Sequence, residues 1–151
     1  MDTSVWTNSV VVHIAFVVEN IEVTLDEYCK IFHMEKPMIK LTGVPETAQV
    51  KYNGNESETR AKQAFIQLGN LRIEFLEPDE NDSTWREYLE KNGEGFHHVG
   101  MEIENMEATL KELSENEIGT VQSGKYKMGQ YAYVSSERKL KMMLELLENQ
   151  K

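Results

Sequence analysis

Two histidines and two glutamates occupy matching places in two similar stretches of the chain. The stretch 13–25, HIAFVVENIEVTL, aligns without gaps with 98–110, so that His13 falls on His98. Where these similar regions end, LRIEFLE aligns with MMLELLE and Glu74 falls on Glu145. Two imidazoles and two carboxylates form a mixed nitrogen and oxygen ligand set for a borderline divalent ion. On an octahedral ion, four protein ligands leave two positions for water or substrate oxygens, as Lewis-acid catalysis requires.

The elements that must position these residues repeat in the order β-α-β-β-β. SVVVHIAFVV is short and β-branched, as is typical of a strand, and Asn20 can cap the helix that follows. GFHHVGMEIE, Asn105 and a helix ending before Gly119 repeat this layout. The remaining predicted strands are KPMIKLTGV, two alternating runs around Gly69–Asn70, and then GTVQSGKYK, GQYAYVSS and LKMMLELLE.

This order predicts one α+β domain, residues 1–151, in which two paired βαβββ modules form an open, metal-containing cleft. Module one covers about 9–78 and module two about 96–148. Between them, 82–95 predicts a linker helix with Asp82 or Ser83 as its cap. The polar segment 45–61 contains Asn-Gly and predicts a mobile loop or a loose hairpin, which explains why module one is longer.

Each of the four residues also has a simpler interpretation. A histidine in a strand is more often a buried structural residue than a ligand, and a glutamate in an alternating strand can face solvent. Glu74 and Glu145 nevertheless lie between large apolar neighbours. An inward carboxylate is costly unless a cation neutralises it, so convergence of all four residues favours a metal site. His97 and His33 lack symmetric counterparts and are assigned structural roles.

Composition excludes several classes of protein. The chain has 151 residues and a net charge of −10, which argues against nucleic-acid binding because phosphate contacts need clustered cations. No stretch approaches the roughly 18 apolar residues of a membrane-spanning helix, and the N-terminus lacks the features of a signal peptide. Cys29 is the single cysteine, so no intramolecular disulfide can form. A cytoplasmic protein that binds no membrane is therefore expected.

The chain resembles the vicinal oxygen chelate (glyoxalase/bleomycin resistance/dioxygenase) superfamily, and within it methylmalonyl-CoA epimerases and their glyoxalase-like relatives. The motifs are HIAF, LGNLRIEFLEP, YLEKNGEGFHHVGMEIENMEATL and MLELLE, which together span nearly the whole chain. The resemblance implies one divalent metal ion (Co, Mn, Ni, Zn or Fe) held by His13, Glu74, His98 and Glu145. It also implies a small-molecule substrate, such as a coenzyme A thioester, and a homodimer.

The resemblance is weaker at positions that select the substrate. Epimerases of this family commonly carry an HGK turn and an HPK segment before the last strand, where this chain has SGKYKMGQYAYVSSERKLKMML. The glutamate proposed as the base in characterised epimerases corresponds to Gln63, which cannot accept a proton. Glu145 is the second candidate catalytic residue, but a metal-bound carboxylate is a weaker base.

The predicted function is a metal-dependent isomerase or epimerase that stabilises the enolate of a carbonyl acid or thioester. A glyoxalase I-like lyase, another metal-dependent enzyme such as an extradiol dioxygenase, and a non-catalytic drug-binding protein stay open as alternatives. Two histidines and one carboxylate would suit the Fe(II) of a dioxygenase. Two inward glutamates and two histidines make a poor hydrophobic trap, so the intact ligand set favours an enzyme over a binding protein.

Overall fold

The computed structural model describes residues 4–151 and confirms the α+β fold with two paired modules. Module one has three long strands and a helix, with short elements between them. Its elements are β1 (Val10–Val17), α1 (Ile21–Phe32), β2 (Lys40–Leu41), α2 (Pro45–Ala48), β3 (Lys51–Tyr52), β4 (Asn55–Glu56), β5 (Ala61–Leu68) and β6 (Leu71–Pro78).

The linker helix and module two follow in the expected order. They comprise α3 (Thr84–Asn92), β7 (Gly95–Glu102), α4 (Met106–Glu115), β8 (Thr120–Tyr126), β9 (Gly129–Val134), α5 (Glu137–Leu140) and β10 (Leu144–Asn149). Ser83 is the cap of α3, because its side chain accepts a hydrogen bond from the Arg86 backbone N–H. No helix among residues 4–151 is long and apolar enough to cross a membrane.

The helix caps show how closely the two modules repeat. The Asn20 side chain accepts a hydrogen bond from the backbone N–H of Val23, and the Asn105 side chain accepts one from Ala108. Their backbone angles agree to within one degree, at φ −142° and ψ 102° for Asn20 and φ −141° and ψ 101° for Asn105. An Asx cap satisfies an amide that the first helical turn leaves without a partner, so both helices start at a sequence-encoded point.

The ten strands within residues 4–151 form one curled sheet in the order β2-β5-β6-β1-β7-β10-β9-β8-β3-β4. The modules meet at the centre, where β1 pairs antiparallel with β7. Each of these strands also pairs in parallel with the last strand of its own module, β1 with β6 and β7 with β10. The four central strands are therefore β6, β1, β7 and β10, which are the strands that carry the four predicted ligands.

Successive side chains along each strand alternate between the outer face of the sheet, which packs against helices, and the inner face of its curl. In module one, Ile73 and Phe75 on β6 pack against Ile21 and Leu25 of α1. Full burial of an aliphatic side chain of this size contributes about 1.5–3 kcal/mol, so this packing fixes which residues of β6 face inward. Glu74 lies between Ile73 and Phe75 and therefore points to the other side, into the curl of the sheet.

Of the two predictions for segment 45–61, the structure agrees with the hairpin, and it shows that this hairpin is paired with module two. After α2, the chain forms a hairpin whose strand β3 pairs with β8 of module two, with Lys51 opposite Ser123 and Tyr52 opposite Gln122. The Tyr52 hydroxyl also hydrogen-bonds the Glu87 carboxylate on α3. The segment therefore crosses between the modules, and its order comes from pairing with a strand distant in sequence, which a local pattern does not reveal.

Two predicted strands are shorter than expected. KPMIKLTGV contributes only the two residues of β2, an edge strand that pairs with β5 alone. Pro37 lies before it and has no N–H to donate to a ladder. In LKMMLELLE, the strand begins only at Leu144. The preceding SERKLK region instead forms the helical turn α5, and its capping residue Lys141 has a left-handed conformation (φ 65°).

Candidate metal centre

The four predicted ligands lie side by side on the inner face of the sheet. Each comes from one of the four central strands, and all four side chains are buried. Strand register explains why they meet. His13 and Glu145 both lie opposite Gly100, while His98 and Glu74 both lie opposite Ala15. The two residues of each histidine–glutamate pair therefore lie on either side of a strand position occupied by a small residue, glycine or alanine.

Gly100 provides the space that His13 occupies. A Cβ built on Gly100 would overlap three atoms of the imidazole ring, including Nε2. The ring thus lies directly over the backbone of β7, and any side chain at this position would push it away. The space taken by the His13 ring therefore requires glycine at position 100. An unusual backbone angle does not explain this glycine, because its φ is not positive.

The potential ligand atoms are close enough to share one ion. The two histidine Nε2 atoms are 3.1 Å apart, and Oε2 of Glu145 is 2.9 Å from each of them. Oε1 of Glu74 is 3.3 Å from His98 Nε2 and 3.7 Å from His13 Nε2. Ligands bound at about 2.0–2.2 Å from an ion lie about 3 Å from one another, so this spacing fits a single divalent cation.

One buried oxygen supports the fit independently. Oε1 of Glu74 accepts no hydrogen bond in the described part of the chain, whereas Oε2 accepts one from the Gln63 amide at 2.6 Å. A buried carboxylate oxygen without a donor is costly, and nearly all such groups in folded proteins have a partner. Gln63 therefore orients the carboxylate and leaves Oε1 free for a cation at the centre of the cluster.

The electrostatics of the cluster also favour positive charge. Burial alone would lower the pKa of His98, but the Glu145 and Glu74 carboxylates outweigh it and raise that pKa to about 9. Burial would raise the pKa of Glu145, yet the neighbouring His98 and His13 hold it well below its usual range. A proton on His98 thus offsets part of the charge of the two carboxylates, a role that a divalent ion can take over.

The His97 ring lies beside the cluster. The alternation of side chains along β7 does not predict this position. A β-bulge leaves His97 without a partner on β1, since Ala15 pairs with His98 and Phe16 pairs with Phe96. The His97 and His98 Nδ1 atoms are 2.8 Å apart. His97 was assigned a structural role, but the structure places its ring against the other nitrogen of a candidate ligand.

A defined proton arrangement follows from these contacts. His97 Nε2 is 3.4 Å from the backbone oxygen of Thr84 and 3.3 Å from its hydroxyl. Burial, and then the charge of His98, lowers the pKa of His97 to about 3, so this ring is neutral. When His98 Nε2 faces a cation, its Nδ1–H donates to His97 Nδ1, and His97 Nε2–H donates to Thr84. His33, in contrast, is exposed and ends α1 in a left-handed conformation (φ 52°), far from this chemistry.

His13, Glu74 and Glu145 line a cavity of about 840 Å³, whereas His98 is fully buried and is not one of its lining residues. The cavity wall also includes Leu76, Trp85 and Tyr133, and the Trp85 indole N–H donates to the Tyr133 hydroxyl at 3.0 Å. Gln63 and Glu145, the two candidate catalytic residues, both line this cavity. The arrangement can therefore hold a small molecule with polar oxygens against the buried cluster.

Comparison with known proteins agrees with this architecture. A sequence profile of the Glyoxalase/Bleomycin resistance protein/Dioxygenase superfamily matches residues 12–134. The chain is 38% identical over 55 residues to the mitochondrial methylmalonyl-CoA epimerase of Mus musculus, a stretch that covers 36% of this chain and 31% of that one. The curated relatives are thus matched over less than two thirds of their own length.

Solved structures match over nearly the whole chain. The structure of methylmalonyl-CoA epimerase from Mycobacterium tuberculosis has a TM-score of 0.68 at 15% identity and covers 100% of this chain and 93% of its own. A variant of the methylmalonyl-CoA epimerase from Streptomyces coelicolor, in complex with 2-nitronate-propionyl-CoA, has a TM-score of 0.64 at 19% identity, covering 93% and 97%. At such identities the likeness establishes the fold.

Proposed function

The chain belongs to the glyoxalase/bleomycin resistance protein/dioxygenase superfamily, and we propose that it is a metal-dependent isomerase or epimerase that stabilises the enolate of a carbonyl acid or thioester. The observation that carries this proposal is the buried cluster of two imidazoles and two carboxylates, in which Glu74 Oε1 has no hydrogen-bond donor among residues 4–151. The likeness to methylmalonyl-CoA epimerases supports a thioester or a related carbonyl acid as substrate.

In this proposal His13, Glu74, His98 and Glu145 are the metal ligands, and the ion is Co, Mn, Ni, Zn or Fe. Such an ion, when bound, supplies Lewis-acid polarisation of a substrate carbonyl oxygen. The protein contributes the buried aromatic side chains of Trp85 and Tyr133 in the cavity wall and a fixed orientation of Glu74 through Gln63. Excluding water strengthens every electrostatic interaction with charge that develops on the substrate.

The base for proton abstraction is the weak part of the site. Gln63 has an amide, which donates to Glu74 and cannot accept a proton. Glu145 is within 2.9 Å of both imidazoles, and its pKa is held low, so it is a poor proton acceptor. We therefore expect slow exchange of the α-proton of a methylmalonyl-type thioester, with binding less affected than proton transfer.

Metal content tests the ligand assignment. Purified protein should hold about one divalent ion per chain by elemental analysis, and His98→Gln should lose most of it. His33→Asn is the matched control, because His33 is an exposed helix cap and asparagine tolerates its left-handed conformation. Equal metal content in wild type and His98→Gln would contradict the assignment.

Proton exchange tests the reaction. In deuterated buffer and at full metal occupancy, NMR should show slow loss of the α-proton signal of methylmalonyl-CoA with wild type and faster loss with Gln63→Glu. A positioned base typically contributes about 10²–10⁴-fold. The new carboxyl would lie beside Glu74 Oε2, and two adjacent carboxyls raise the pKa of one of them, which suits a base. Fast exchange in wild type would show that another group is the base.

We also propose that the protein is a cytoplasmic homodimer, as the resemblance and the single cysteine suggest. Cys29 is partly buried and free, which suits a reducing compartment. Light scattering that gives a mass of 17.5 kDa, the mass of one chain, would contradict the dimer.

A further inference from the structure

Outside the ligand cluster, the lining of the cavity carries an excess of positive charge on an acidic chain. Four cations line the cavity, and Glu102 is a carboxylate on the same wall outside the ligand cluster. Within residues 4–151, the ion pairs of lysine side chains involve Lys36, Lys62, Lys91 and Lys139, none of which lines it. The lining cations without a carboxylate partner in that part of the chain are Lys40, Arg72, Lys125 and Lys127.

Arg72 lies on the same strand as the candidate ligand Glu74. It precedes Glu74 by two residues on β6, so both side chains leave the same face, with their Cα atoms about 7 Å apart at ~3.3 Å per residue. Its guanidinium carbon lies 3.8 Å from the centroid of the Phe65 ring. Phe65 is paired with Glu74 across β5 and β6, and its ring centroid is 6.0 Å from that of His13.

This stacking leaves the hydrogen-bonding edge of Arg72 available. A guanidinium stacked on an aromatic face uses its π surface, and its N–H groups remain in the plane of the fork. The fork matches the two oxygens of a carboxylate or phosphate, and such paired, charge-assisted hydrogen bonds are stronger than neutral ones. Phe65 thus limits the positions of the guanidinium before any ligand arrives.

We infer that Arg72 is a specificity-determining residue and that the substrate carries a second anionic group, a carboxylate, on the side of the metal cluster where Arg72 lies. This inference rests on the proposed function, because it takes the first polar group of the substrate to lie at the cluster. The substrate class is therefore a carbonyl acid with an additional carboxylate, in extended form along β6. A phosphate of a coenzyme is the other anion that the fork could take.

Two oxo acids of equal chain length distinguish binding at the metal cluster from binding of a second carboxylate at Arg72. 2-Oxoglutarate and 2-oxopentanoate share the oxygens that can face the metal, and they differ in a distal carboxylate or methyl group. Calorimetry on the Co²⁺-loaded protein should show tighter binding of 2-oxoglutarate to wild type. Arg72→Met keeps a long side chain over Phe65 and should weaken 2-oxoglutarate about 10- to 100-fold, as expected for a lost charged hydrogen-bond pair. Binding of 2-oxopentanoate should stay the same.

Further variants distinguish paired hydrogen bonding by the planar guanidinium of Arg72 from the effect of positive charge alone. Lys62→Met removes one positive charge from the outer face of β5, where Lys62 pairs with Glu77, and should keep the preference for 2-oxoglutarate. Arg72→Lys keeps the charge without the fork and should recover only part of the affinity. A preference equally reduced by Lys62→Met and Arg72→Met would overturn the inference, because general electrostatics would then explain it.

The remaining outcomes separate this inference from the proposed function. If 2-oxopentanoate binds and 2-oxoglutarate binds no more tightly, the role of Arg72 is wrong while the proposed function stands. If neither acid binds the Co²⁺-loaded protein, the inference is wrong, and α-proton exchange of methylmalonyl-CoA then decides the proposed function separately. Adenosine 3′,5′-bisphosphate tests the phosphate alternative: binding that Arg72→Met abolishes, with no preference between the oxo acids, would assign Arg72 to a coenzyme phosphate instead.

Discussion

Replacing His97 by phenylalanine should weaken metal binding although His97 is not a ligand. His98 Nε2 faces the cluster, so a bound ion forces the ring proton of His98 onto Nδ1, which lies 2.8 Å from His97 Nδ1. His97→Phe keeps a ring in the buried space but removes the acceptor. In the metal-free variant, His98 can give up its second ring proton and keep the remaining one on Nε2, towards the carboxylates, whereas in the metal-bound variant Nδ1 must stay protonated.

The size of the effect follows from burial. His98 is 0% exposed, so water cannot replace the missing acceptor. A buried donor left without a partner costs about 1–3 kcal/mol, which corresponds to roughly 5- to 150-fold in a binding constant. We therefore expect the Kd for Co²⁺ to rise about 10- to 100-fold, the range typical of residues that orient metal ligands. Competition with a chelator of known affinity, followed by Co²⁺ absorption, measures it.

A rescue variant distinguishes orientation from simple packing. His97→Gln restores a side-chain oxygen that can accept from His98 Nδ1, and it should recover part of the affinity that His97→Phe loses. The melting temperature of each metal-free variant reports the packing cost separately. The reasoning is refuted if the Kd for Co²⁺ is unchanged in His97→Phe, or if it follows the melting temperature in all variants.

Two further predictions concern the same cluster. Gly100→Ala should displace the His13 ring and remove most bound metal by elemental analysis, while Gly119→Ala, which meets no atom within 4 Å, should keep it; metal retained in both would contradict the packing. In the metal-free protein, the pKa of His98 is raised from 6.5 to about 9, so the stability it contributes is complete below pH 6.5 and is lost as the pH rises towards 9. The melting temperature of the metal-free protein should fall across this pH window, and bound Co²⁺ should remove this dependence on pH. A metal-free melting temperature that does not change with pH would contradict the stabilising role of protonated His98.

The duplicated parts of the fold could be predicted because each has a local signal. Asn20 and Asn105 mark helix starts, and alternation along the strands indicates which residues face inward. The repeat then places His13 on His98 without any structural knowledge, and symmetry is enough to bring such residues to the centre of a paired sheet. That the four side chains converge agrees with this prediction; that they bind a metal remains the proposal.

Other features depend on contacts between parts of the chain that no local pattern connects. The order of segment 45–61 comes from β3 pairing with β8 and from Tyr52 reaching α3. The position of His97 depends on a bulge, which requires the register of β1 against β7. Arg72 is two residues before Glu74, but its stacking on Phe65 appears only when β5 and β6 are paired. These features required the three-dimensional structure.

The bulges explain how a symmetric ligand set can become chemically asymmetric. A second bulge leaves Val12 unpaired on β1, and Val12 occupies in module one the place that His97 occupies in module two. The residue before His98 can therefore fix a ring proton through an imidazole, whereas the residue before His13 has only a methyl surface. His13 is instead positioned by contact with Gly100. Since an acceptor at Nδ1 raises the basicity of an imidazole ligand, His98 should bind a cation more strongly than His13, even though duplication made the two positions equivalent.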